Sequence, residues 1–246
     1  MNLPNSLEKQ GEFLFRYRGF FPILLFFIVI PFIFLRNNDF ENNFIVFNFS
    51  LFLTVLGFLL RFYTVGTTLK GTSGRNTKVQ VASHLNSTGI YSVLRHPLYL
   101  GNLLIWNGVS IFSYNIYFVC FINFFFFLYY RRIMMAEEYF LRNKFDKEFL
   151  SWSSRTPRII PSFKNYIRTE NYFSFKSILR REYAGILSAV IGYLYIDSLR
   201  ILKEQDEVIF QDYFLNIKIL CVTIFFVLII RQIKHSTDIL LEKDRS

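Results

Sequence analysis

The chain has 246 residues, of which 52% are hydrophobic and 20% aromatic, and it carries a formal net charge of +10. A soluble domain of this size does not need so many long apolar runs, several of which approach the roughly 20 residues that cross a hydrocarbon core about 30 Å thick. The basic residues flank those runs instead of building one basic surface, which sets aside nucleic-acid binding and reads as loop charge at a membrane face.

Read in order, residues 1 to 18 carry Lys9, Arg16 and Arg18, and the apolar segment behind them lacks a small-residue cleavage pattern, so no cleavable signal peptide is expected. A first span covers Gly19 to Leu35, with Pro22 and Pro31 inside it and a kink expected there. The polar turn 36–43 leads to a second span, Phe44 to Leu60. A polar segment from Arg61 to Arg95 follows; its Gly71, Gly74 and Asn76 mark a loop. Next comes an apolar hairpin: Leu98 to Phe112, a turn at Ser113-Tyr114-Asn115, then Ile116 to Tyr130. Each arm is roughly 22 Å long as helix, short for a full crossing. Pro97 suits the first turn of its helix, where the missing N–H would be unpaired anyway.

Beyond the hairpin, Ala136 to Leu150 repeats Phe140, Leu141, Phe145 and Phe149 at helical spacing. Thr156-Pro157 and Ile160-Pro161 break the chain, and residues 163–179 mix aromatic and basic residues as in a segment lying along a membrane surface. Two further spans, Tyr183 to Leu202 and Tyr213 to Ile230, complete an all-α polytopic fold of about six spans, with a short helical hairpin and cytoplasmic amphipathic segments. Three regions are expected: a two-span start at 1–60, a core at 61–163, and a C-terminal two-span part at 164–246. Residues 131–182 hold twelve Lys or Arg against six Asp or Glu, while the turns at 36–43 and 200–212 are net acidic. The basic-inside bias puts both termini and both long loops in the cytoplasm. Cys120 and Cys221 read as small buried residues, His84 and His235 as surface residues, and no metal site is expected.

The hairpin returns two polar clusters to one face: Arg95-His96-Pro97 at its start and Glu137-Glu138 after its end. The string G-I-Y-S-V-L-R-H-P-L-Y-L-G, followed by E-E-Y-F-L and T-P-R-I-I-P, resembles the isoprenylcysteine carboxyl methyltransferase and phospholipid methyltransferase superfamily over about residues 65–161. GTSGRNT with LNSTGIYS also looks like bacterial members, including those that methylate the phosphate of lipid A. The resemblance implies an S-adenosylmethionine site at the membrane border. His96, Pro97, Tyr99, Leu100 and Gly101 match its first cofactor motif, and Glu137 and Glu138 its second. Two positions depart from the family pattern. Asp146-Lys147-Glu148-Phe149 stands where Gly-x-Glu-Tyr is common, and Trp152 replaces a later tyrosine.

The residues suit that chemistry. A glutamate holds an ammonium or ribose hydroxyls, N–H groups at a helix start hold a carboxylate, and faces such as Tyr99 and Trp106 attract a sulfonium. A carboxylate or phosphate acceptor is already ionised and needs no base, in keeping with the lack of a nucleophile–base constellation, whereas an amine needs one. Arg155 and Arg158 are placed at the acceptor, with Arg131, Arg132, Arg180 and Arg181 as further cations. The expected activity is O-methylation of an anionic membrane lipid, first of all a lipid A phosphate, at the cytoplasmic side of a bacterial inner membrane. Prenylcysteine carboxyl methylation and ethanolamine N-methylation are the enzymatic alternatives. A transport or scaffold protein is the non-catalytic one; paired charges along a path would favour it, and within the spans Asp197 is the main acidic residue.

Overall fold

The computed structural model describes residues 10–11, 13–17, 19, 21–35, 44–69, 82–204 and 209–242. The 36–43 turn and the Gly71–Asn76 loop, GTSGRNT included, lie outside the described residues, as does part of the 200–212 turn. Within them the chain is helical without strands: α1 (Phe21–Phe34), α2 (Phe44–Thr67), the single turn α3 (Ile90–Val93), α4 (Pro97–Ile111), α5 (Ile116–Arg155), α6 (Phe175–Glu204) and α7 (Phe214–Ser236), the last entered through a 3-10 turn at Phe210–Tyr213.

Four of these are long and apolar enough to cross a membrane: α2, α5, α6 and the Phe210–Ser236 stretch that contains α7. The six expected spans thus become four long helices plus the shorter α1 and α4, of 14 and 15 residues. Two boundaries move. α2 runs past Leu60 to Thr67, so Arg61 is a helix residue. The second hairpin arm and the glutamate helix join without a break in α5, because nothing from Tyr130 to Ala136 breaks a helix, and the helix kinks only later, at Asp146. From Ile116 to Glu138 this helix is roughly 33 Å long at 1.5 Å per residue, about one hydrocarbon thickness. The rest of α5 extends beyond that depth. Of residues 163–179, expected as a segment along the membrane surface, 163–174 form an irregular strap with Phe163, Tyr166 and Tyr172 exposed, and the rest open α6.

α5 buries one stripe: Phe118, Ile122, Phe126, Tyr129, Tyr130 and Ile133, spaced at three and four residues. Cys120 stands two positions off that stripe and is exposed, as is Cys221 on α7, so neither is buried as expected. The aromatic run divides likewise, with Phe124 and Phe127 outward and Phe126 inward. At the hairpin turn, the Asn115 side-chain oxygen Oδ1 accepts from the Tyr117 and Phe118 N–H groups at 3.0 and 3.1 Å, and its Nδ2 donates to the Phe32 carbonyl of α1 at 2.8 Å. The turn is therefore pinned to one end of the bundle, where Val29, Ile33, Phe112, Phe118 and Ile196 form a core cluster.

α4 lies directly against α2, and glycine permits the approach. A Cβ on Gly108 would overlap the Thr54 hydroxyl, and one on Gly101 would meet Arg61 Cγ at 2.6 Å. Asp146, inside α5, has φ +37, a left-handed value that non-glycine residues adopt at a cost of about 1–2 kcal/mol. It stands where the resembled family commonly has glycine.

Two expectations follow from this packing. Gly108→Ala should cost about 1–3 kcal/mol by overpacking, read as a lower thermal midpoint, while Gly19→Ala, with nothing within 4 Å of the added carbon, should leave the midpoint unchanged. Asp146→Gly should raise the midpoint by relieving the left-handed strain.

Candidate active site

The first polar cluster is held by backbone contacts from the segment that follows α5. The Arg95 N–H donates to the Pro157 carbonyl at 2.9 Å, and the Ser162 N–H to the Val93 carbonyl at 3.1 Å. Gly89, at φ +58, donates to the Ile167 carbonyl at 2.7 Å, while the Ser92 hydroxyl accepts from the Ile167 N–H at 2.9 Å. Trp152, at the position of the family's later tyrosine, donates its indole N–H to the Tyr91 carbonyl at 2.8 Å. T-P-R-I-I-P thus wraps the residues leading into α4, and Pro97 opens that helix as expected.

This packing closes the two motifs on one another. Glu138, buried on α5, receives Arg95 Nη1 at 3.0 Å, His96 Nε2 at 3.0 Å, Arg158 Nε at 2.9 Å and Arg158 Nη2 at 2.5 Å. Arg158 engages both oxygens in a fork. The neighbouring Glu137 accepts the Tyr99 hydroxyl at 2.6 Å and lies 3.5 Å from His96 Nδ1. Both ring nitrogens of His96 therefore face carboxylates, an arrangement that favours the doubly protonated imidazolium. Burial opposes that charge, but the hydrogen bonds and charges of Glu137 and Glu138 outweigh it, and the pKa of His96 is raised. Burial, helped by the charge of Glu137, likewise pushes the Tyr91 phenol up.

Beside the cluster lies a cavity of about 670 Å³. Arg95, His96, Tyr99, Asn102, Tyr130 and Glu137 line its polar part, and Phe26, Val29, Ile105, Val109, Ile122 and Ile196 its apolar part, which runs down between α1, α4, α5 and α6. Glu137 faces this cavity, whereas Glu138 and Arg158 stand outside its wall. Tyr99 stacks on His96 with centroids 5.6 Å apart, and Trp106 stands in the wall with its ring edge-on to Phe126. Two buried donors at the cavity have no hydrogen-bond partner among the described residues, Arg95 Nε and Asn86 Nδ2.

The structure brings His96, Tyr99, Glu137, Glu138 and Arg158 together, with Pro97 in the cavity wall. Leu100 lies outside the wall, and Gly101 packs against α2. Arg155 is exposed and stands apart from the cavity. Of the further cations, Arg181 is buried and lines the cavity, while Arg131 is exposed over the Phe127 ring. Sequence reasoning missed Asn86, Arg61 and Glu182. Only the last two carried a signal, namely charge inside what proves to be helix. Arg61 Nε and Nη2 donate to the two Glu182 oxygens at 2.8 and 2.9 Å.

Compared with known proteins, residues 45–148 match the family described as phospholipid methyltransferase. No match was found among curated proteins or among solved structures.

The raised pKa of His96 fixes the sign of a pH dependence. Its contribution to stability is complete below the unfolded value of about 6.5 and fades as the pH rises through the raised folded value. A thermal midpoint followed from acid to alkaline pH should fall more steeply in the wild type than in His96→Asn, which lacks this component.

Proposed function

We propose, for a chain whose residues 45–148 make it a methyltransferase of the phospholipid methyltransferase kind, that it O-methylates an anionic lipid head group with S-adenosylmethionine at the cytoplasmic border of the membrane. A lipid A phosphate is the leading acceptor. The observation that carries the reading is the joining of the two motifs, through His96 and Glu137, at the polar end of an apolar-walled cavity.

The residues at that end fit the cofactor. Glu137 offers a carboxylate to an ammonium or to ribose hydroxyls. The unpartnered Arg95 Nε and Asn86 amide are donors for a carboxylate. Tyr99 and Trp106 present aromatic faces suited to a sulfonium. When bound, S-adenosylmethionine supplies an electrophilic methyl group to a nucleophilic oxygen. The chain's own part is to position and to exclude water, which can contribute roughly 7–11 kcal/mol.

The state of His96 bears on the acceptor. An amine must lose a proton before it is methylated, and His96, with one ring nitrogen held at each of two carboxylates, offers no free nitrogen to take it. An ionised phosphate asks for no base. The bacterial look of GTSGRNT and LNSTGIYS supports lipid A within that class. The match to a phospholipid methyltransferase family favours a phospholipid acceptor over a prenylated cysteine. A bacterial inner membrane and a cytoplasm-facing site follow from the same reading together with the loop charge.

The test is incubation of the purified protein with membrane lipid and methyl-deuterated S-adenosylmethionine, followed by mass spectrometry of the lipid. A labelled methyl ester on phosphate is expected; label on amines alone would overturn the acceptor. Glu137→Gln should raise the cofactor KM about tenfold or more, since a charge-assisted bond contributes about 1.5–3 kcal/mol. Glu138→Gln, outside the cavity wall, should instead lower thermal stability along with activity.

A further inference from the structure

Beyond the motif residues, the cavity has a second polar wall, built from α2 and α6. We infer that Arg61, oriented by Glu182 and Asn102, and Arg181 beside it form the subsite for the phosphate of an anionic lipid acceptor. This rests on the reading of the chain as a lipid methyltransferase and names where the head group sits. Arg181 and Glu182 belong to a helix outside the 45–148 match.

Glu182 is almost fully buried and takes both of its hydrogen bonds from Arg61, while Arg61 Nη1 donates to Asn102 Oδ1 at 2.5 Å. A guanidinium has five N–H donors. Three are engaged by these partners, and the side chain retains 17% exposure in a position that lines the cavity. Arg181, one residue before Glu182 on α6, is buried and lines the same cavity. This wall therefore brings two guanidinium groups to the cavity. An ion pair used only for cohesion is commonly replaceable by apolar residues of equal volume. Here the pair faces the cavity, and a second cation stands beside it.

Depth and reach agree with the assignment. Arg61 and Arg181 each stand six residues from the end of their helix, roughly 9 Å in at 1.5 Å per residue. The apolar wall below them offers room for acyl chains. Asn102 links this wall to the motif side: its amide donates to the Tyr130 hydroxyl at 2.8 Å, and the Tyr130 ring lies 4.8 Å from that of Tyr99, the partner of Glu137. A head group at Arg61 and Arg181 and a donor at Glu137 would share one cavity, separated by the Tyr99–Tyr130 pair. Arg is suited to such a site because its planar fork matches a phosphate.

Both tryptophans of the chain, Trp106 and Trp152, line the cavity and report on it. The full-length protein in detergent micelles would be titrated with brominated phosphatidic acid, a quencher with a monophosphate head, and with brominated phosphatidylcholine. Saturable quenching by the first and not the second is expected. Arg181→Gln, and the double variant Arg61→Gln/Glu182→Gln, which removes both charges of the pair together, should each weaken that binding about tenfold. Calorimetric affinity for S-adenosylhomocysteine should stay within about twofold, a change worth only about 0.4 kcal/mol. If the double variant fails to fold, the single one decides. Equal affinity for the two lipids, or unchanged binding in Arg181→Gln, would overturn the subsite. Quenching needs no methyl transfer. Selective, arginine-dependent quenching without methylation would keep the subsite and defeat only the reaction; a phosphate methyl ester formed with unchanged acceptor KM in Arg181→Gln would do the reverse.

Discussion

One buried carboxylate organises the reactive end of this protein. Glu138 cannot sit unpaired at the border of a bilayer, because an isolated charge there carries a large desolvation cost. It meets Arg95 and His96 from the start of α4 and Arg158 from the strap after α5. Three parts of the chain therefore have to converge for the site to exist. The backbone bonds from Pro157, Ser162 and Ile167 to the stretch 89–95 carry the same convergence into the main chain.

The adjacent glutamates do different things because neighbours on a helix point about 100° apart, at 3.6 residues per turn. Glu138 faces the cations and stands outside the cavity. Glu137 turns into the cavity with the Tyr99 hydroxyl and the His96 ring as partners. One holds the cluster together, the other faces open space. His96 joins them, a ring nitrogen toward each, and both carboxylates raise its pKa.

The membrane sets the rest. α5 reaches from the hairpin turn to Glu138 over about one hydrocarbon thickness, so the hairpin turn and the polar cluster stand about that far apart along the helix. Beside it the cavity is walled by apolar residues of four helices, α6 among them. Through Arg61–Glu182 that helix, which has no part in the recognised motifs, is tied to α2 and to the cavity. The contribution of the C-terminal region is thereby given a physical form.

Much of this was legible in the residues. Apolar run length and loop charge gave a helical membrane protein, the turn at Ser113-Tyr114-Asn115 and the breaks at Thr156-Pro157 and Ile160-Pro161 were readable from local chemistry, and the hairpin implied that His96 and the glutamates meet. What stayed hidden depended on long-range placement. Whether Cys120 points inward depends on which stripe of α5 finds partners, and that stripe is chosen by α1 and α4. Whether Arg155 or Arg158 reaches the site depends on how the strap turns after Thr156. Arg61 read as loop charge because span length was judged from hydropathy, which drops at a lone arginine even where the helix continues, and its partner Glu182 lies 121 residues away. Local pattern therefore determined the elements and the motif, while the pairing of buried charges was decided only in three dimensions, because each such charge is tolerable only beside a partner supplied from elsewhere in the chain.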